Sequence, residues 1–222
     1  MPVEKIESKR INETPVSPER ILVLNTLPLT SDRFDAGRSR TFFSFLKYRN
    51  DFLRTQFPAG ISWDIYKSQV VHPILAELLH IKEGSRAAID YDVSFSDFRK
   101  ALLSGQFDVI FLVAHHIYEK DSIEFADREV SLPVILEFLE KKLSGSSMSL
   151  HFIVCNSLAF TQLKSKESTY SGTLSFGFWE FPVLESYRFI RHWVLSLDGK
   201  RSLSEAYALA IDDYKQSINT DE

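Results

Sequence analysis

A chain of 222 residues is long enough for one domain with a substantial core and short for two. Hydrophobic residues at 44% and charged residues at 25% give the balance of a soluble globular protein, and a net charge of −4 without any Lys/Arg-rich stretch argues against a nucleic-acid platform. The single cysteine excludes an internal disulfide and a multi-thiolate metal centre, and fits a reducing cytoplasm. No apolar run approaches the roughly 18 residues a membrane span needs, and nothing in the composition asks for a cofactor.

Residues 1–19 mix Lys, Glu, Ser and Pro without periodicity, as a flexible leader does; 20–217 read as a single domain and 218–222 as a tail. Ile21-Leu22-Val23-Leu24 is a short apolar run, the pattern of a strand buried on both faces. Phe42, Phe45, Leu46, Phe52 and Leu53 recur at helical spacing, Ile61 to Val71 alternate loosely as a strand or extended connection, and His72 to Lys82 form a helix with Ile74, Leu75, Leu78 and Leu79 as its apolar residues, ending near Gly84. Ala87 to Tyr91 are a strand. Ser94 with Asp97 marks a helix start, Phe95, Phe98, Leu102 and Leu103 supply its stripe, and Gly105 closes it.

Phe107 to Ala114 form the strongest buried strand and lead directly to His115-His116. A loop or hairpin around Ile123-Glu124-Phe125 precedes a helix that begins after Ser131, with Pro133 in its first turn. Leu150 to Val154 are again a buried strand, ending on Cys155. A short helix over 158–164, a strand over Thr173 to Phe178 and two helices, the second opened by Ser202 and Glu205, complete the chain.

Strands alternating with helices imply a mostly parallel sheet covered on both faces, with the ligand site at the carboxyl ends of its strands. His115 and Cys155 each follow an apolar strand, with one helix between. If the strands are neighbours, the two side chains emerge at one edge. A thiol with a nearby imidazole has the parts for acyl transfer: a nucleophile, a base that protonates the leaving amine, and backbone N–H donors at His116 and Cys155 for the oxyanion. The bland alternative is a buried strand-end cysteine and two histidines on a surface loop. His115-His116 with Asp121 make a poor metal site, since adjacent residues on an extended chain point to opposite sides, and no metal is expected. His151 lies within a strand, and His72, His80 and His192 lie in or beside helices. Asn25-Thr26-Leu27-Pro28 after the first strand is no Gly-rich phosphate loop, which counts against a flavodoxin-like or receiver domain.

From Ala87 to about Gln216 this series resembles the CHAT domain, a caspase-like cysteine peptidase module. Phe107 to His115 are similar to the family's strand before its catalytic histidine, and Ile123-Glu124-Phe125-Ala126-Asp127 with Val130-Ser131-Leu132 to its small hairpin and helix start. Phe152-Ile153-Val154-Cys155-Asn156-Ser157 are similar to the strand bearing the catalytic cysteine, Phe178-Trp179-Glu180-Phe181-Pro182 to a Trp-containing strand end, and Gly199 through Ala210 to the closing helix. The resemblance implies a three-layer caspase-like fold and a cysteine endopeptidase with His115 as base and Cys155 as nucleophile. It further implies a protein or peptide substrate, a separate activating protein partner and a bacterial-defence or regulated-cleavage setting. His116 stands where the family usually has Gly, and Ile153 where relatives often place an acid for a basic substrate side chain, leaving Glu119, Asp121 and Glu180 as candidates for that role. A catalytically silent, protein-binding scaffold is the alternative.

Overall fold

A computed structural model of the chain describes residues 15–32, 62–117, 120–143, 148–153, 174–176 and 183–220. Five parallel strands form the main sheet: β1 (Ile21–Asn25), β2 (Ala88–Asp90), β3 (Val109–Val113), β7 (Ser149–Ile153) and β8 (Leu174–Phe176), in the order β2-β1-β3-β7-β8. Between β3 and β7 the chain folds a separate three-stranded antiparallel sheet, β4 (His115–Ile117), β5 (Ser122–Glu124) and β6 (Glu129–Ser131).

The apolar run of β3 and the largely apolar β1 and β7 explain their central position, and all of their residues are buried, Asn25, Ser149 and His151 included. Alternate residues face opposite layers. On one side Leu22, Leu24, Ile110, Leu112, Leu150 and Phe152 pack with α3 (Phe95–Leu103) and α4 (Leu132–Leu143). On the other, Ile21, Val23, Val109, Phe111, Val113 and Ile153 pack with α2 (His72–Gly84), α5 (Val183–Ser196) and α6 (Leu203–Thr220). The architecture is therefore a three-layer α/β domain.

Helix starts are encoded locally. Ser94 accepts from the Asp97 backbone N–H at 3.1 Å, while Asp97 reaches back to the Ser94 N–H at 3.4 Å. Gly105 takes the left-handed conformation (φ 65°) that ends the helix. Ser202 and Glu205 form the same reciprocal cap at α6.

Three expectations need correction. Residues 62–71 are helical rather than extended: α1 (Trp63–Tyr66) is capped by Ser62, whose hydroxyl accepts from Ile65 N–H, and Lys67–Val71 continue as a π-turn into α2. Pro73, at the start of α2, has no N–H to donate to the preceding turn, and the wider turn carries the chain past that point. The packed part also begins before Arg20: Val16 is buried, and its N–H donates to Arg201 O at 3.2 Å. Leu75, Leu79 and Leu103 lie exposed, because α2 and α3 bury narrower stripes through Ile74, Leu78 and Ile81, and through Phe98 and Leu102. The helices expected over 42–53 and 158–164 lie outside the described residues. Among those described, no helix is long and apolar enough to cross a membrane.

Phe98 is fully buried, with ring centroids of Phe125 and Phe152 at 5.4 and 6.3 Å. Phe98→Ala is expected to cost about 3–5 kcal/mol, read as a lower denaturation midpoint in urea; a loss below about 1 kcal/mol would contradict this packing.

Candidate active site

The site is built on neighbouring strands. β3 and β7 pair in parallel from Val109↔Ser149 to Val113↔Ile153, and the Ala114 N–H continues the ladder to Ile153 O at 3.3 Å. His115 comes two residues after Val113, and Cys155 two after Ile153. Cys155 itself lies outside the described residues, as do Glu119 and Glu180. The described part fixes where the chain departs toward Cys155: the next strand over from the one leading to His115, at the same level.

His115 and His116 are not on a surface loop. Both are buried, and both belong to β4, where His115 pairs with Glu124 and His116 with Ile123. Ala114 interrupts the extended run, so His115 opens a second strand rather than closing the first. Alternation sends the rings apart. His116 shares its face with Ile123 and Val130, which belong to the core beneath α3 and α4. Its Nε2 lies 3.3 Å from Asp121 Oδ1, and its side chain is fully enclosed. Asp121 sits in the left-handed region (φ 48°) with its carboxylate partly exposed. His115 shares the opposite face with Glu124 and, one strand further, Glu129. The rings thus do not converge on a common metal, and among the described residues no group of three His, Cys, Asp or Glu is gathered as a metal site.

Burial holds the His115 imidazole down to about 4, with neighbouring His116 acting in the same direction and Glu129 in the opposite one. At neutral pH this ring is therefore an uncharged proton acceptor. Lys120 donates to Glu129 at 2.8 Å and offsets part of its charge.

Next to Val113, two residues before His115, the end of β1 is closed by a polar cluster that sequence reasoning missed. Asn25, buried in register with Val113, donates from Nδ2 to Leu27 O at 3.0 Å and accepts from the Tyr187 hydroxyl. Tyr66 donates to Pro28 O at 2.8 Å, and Thr26 N–H to Val113 O at 3.0 Å. Burial, reinforced by Tyr66 and Tyr91, raises Tyr187 well above the ordinary phenol range, so it remains a neutral donor. The cluster makes a rigid rim at the carboxyl edge of the sheet. Only the strand-end Asn25 signals it in the sequence; Tyr66 and Tyr187 lie far from it along the chain.

His151 points into the other layer, with its ring 5.2 Å from Phe111 and 4.5 Å from Trp193, and burial lowers it to about 3. It is part of the core. No family model matches the chain, and neither does any curated protein.

Both depressed histidines are neutral when folded but charge in the unfolded chain near pH 6.5. Their contribution to stability is therefore complete above about pH 6.5 and is lost as pH falls toward 4 for His115 and 3 for His151. Urea denaturation at pH 7, 5.5 and 4.5 should show this decline, and His151→Phe should flatten it. Equal slopes in the two proteins would contradict a buried, neutral His151.

Proposed function

We propose that the chain is a cysteine-type endopeptidase of the CHAT, caspase-like kind, with Cys155 as nucleophile and His115 as general base. The observation that carries this reading is the in-register parallel pairing of β3 with β7, which starts the two residues from equivalent points on adjacent strands. It gains support from the small antiparallel sheet lying between β3 and α4, where the resemblance implies a small hairpin.

In this mechanism neutral His115 takes the Cys155 proton as sulfur bonds to the scissile carbonyl carbon. The resulting oxyanion is met by the backbone N–H groups of His116 and Cys155. The imidazolium then protonates the leaving amine as the C–N bond breaks, leaving a thioester. Water attacks this thioester, gives a proton to His115, and the thiol leaves with that proton. No step calls for a cofactor. The substrate is a protein or peptide; Asp121, Glu119 and Glu180 are the acids proposed to receive a basic side chain, and a separate protein partner is proposed to activate cleavage.

A second reading, a catalytically silent scaffold, is favoured by one observation: the enclosed His116 ring, tied to Asp121, occupies the position where the resemblance has Gly. The two readings part at the thiol. Because Cys155 is the only cysteine, iodoacetamide reports on it alone. The peptidase reading expects Cys155 alkylation at pH 7 to be slowed by His115→Ala, because the uncharged ring is the acceptor for the thiol proton. It also expects peptide-library cleavage that Cys155→Ser abolishes and His115→Ala slows by about a hundredfold or more. Identical alkylation profiles in the native and His115→Ala proteins would leave the scaffold reading standing.

A further inference from the structure

The small sheet fixes which way each peptide group of β4 faces. The Phe125 N–H donates to Arg128 O at 2.8 Å and the Leu132 N–H to Asp121 O at 2.9 Å, so Asp121, Ile123 and Phe125 turn their peptide groups toward β6. That direction alternates along an antiparallel strand, so Ser122 and Glu124 turn theirs toward β4, where they meet Ile117 and His115. His116, opposite Ile123, therefore directs its N–H away from β5, across the outer edge of the small sheet. This is the N–H assigned above to the oxyanion.

Glycine at this position would leave no side chain to place. Here an imidazole is stored on the core side, on the face of Ile123 and Val130, and is fully enclosed. Enclosing a polar ring is costly without a partner. Asp121 supplies one: a carboxylate only accepts, so the His116 Nε2–H donates to Oδ1 at 3.3 Å. Asp121 is itself held in place. Its backbone keeps the left-handed conformation (φ 48°), which Asp tolerates better than most residues, and its carbonyl is tied to Leu132 at the start of α4. A non-glycine residue kept there by its surroundings points to a task for its side chain.

We propose that Asp121 is a positioning residue for the oxyanion site: by holding the His116 ring against the core, it keeps the His116 N–H aimed outward. The inference rests on the peptidase reading above and deepens it, giving the enclosed ring a place in catalysis.

Two reagents separate this role from structural support. Iodoacetamide alkylates Cys155 by displacing iodide and forms no oxyanion. The ester p-nitrophenyl acetate acylates it through a tetrahedral oxyanion, the sulfur–acyl bond forming and p-nitrophenolate leaving. This ester has no basic side chain, so any part Asp121 plays in receiving one does not register. Both rates are measured on the full chain, with Cys155→Ser as the blank. Asp121→Gly keeps the left-handed turn and removes the carboxylate; it should slow acylation about tenfold to a hundredfold, short of deleting an oxyanion donor, and leave alkylation within about twofold. Asp121→Asn, which keeps an acceptor oxygen, should recover most of the acylation. In a His116→Gly background, with no ring to hold, adding Asp121→Gly should change neither rate. If His115→Ala slows alkylation but Asp121→Gly slows both reactions equally, or neither, the inference is overturned and the dyad stands. If His115→Ala leaves alkylation unchanged, dyad and inference fall together. Should Asp121→Gly not fold, the His116→Gly background decides: slower acylation on adding Asp121→Gly overturns the inference, and an unchanged rate sustains it.

Discussion

The arrangement depends on one pairing: β3 beside β7, parallel and in register from end to end. Both strands are buried on both faces, which the unbroken apolar run of β3 permits and which β7 meets with Leu150, Phe152 and Ile153 beside a neutral, enclosed His151. The helix between them, α4, covers one face, and the helices against Val113 and Ile153 cover the other. With the strands locked, whatever follows each of them must emerge at the same edge, and that is the physical basis for joining His115 and Cys155 in one proposed site. The polar closure of β1 through Asn25, Tyr187 and Tyr66 stiffens the adjoining rim.

The small antiparallel sheet does the second task, sorting two adjacent histidines. Its register commits His116 to the core side, where Asp121 holds it, and His115 to the side of Glu124 and Glu129. Burial of His115 has two opposite consequences. It keeps the ring uncharged and ready to accept a proton, and it makes the charged product expensive. Glu129, on the same face of the hairpin, acts against that cost.

Much of this was legible in the sequence because the signals were local. Strand runs such as Val109 to Val113, the Ser94–Asp97 box and Gly105 each act within a few residues, and alternation of such elements implies a parallel sheet. The failures are equally physical. The stretch 62–71 was misread because loose alternation does not reveal a Ser62 cap or a π-turn accommodating Pro73. The β1 rim joins residues separated by most of the chain.

The central claim is that adjacent, in-register strands bring His115 and Cys155 together, and the most direct measurement is crystallographic: the distance between the Cys155 sulfur and the nearer His115 ring nitrogen. The account predicts roughly 3–6 Å across an open groove, allowing for the looser geometry of a substrate-free site. Side chains on different edges of the sheet, or a Cys155 sealed within the core, would contradict it.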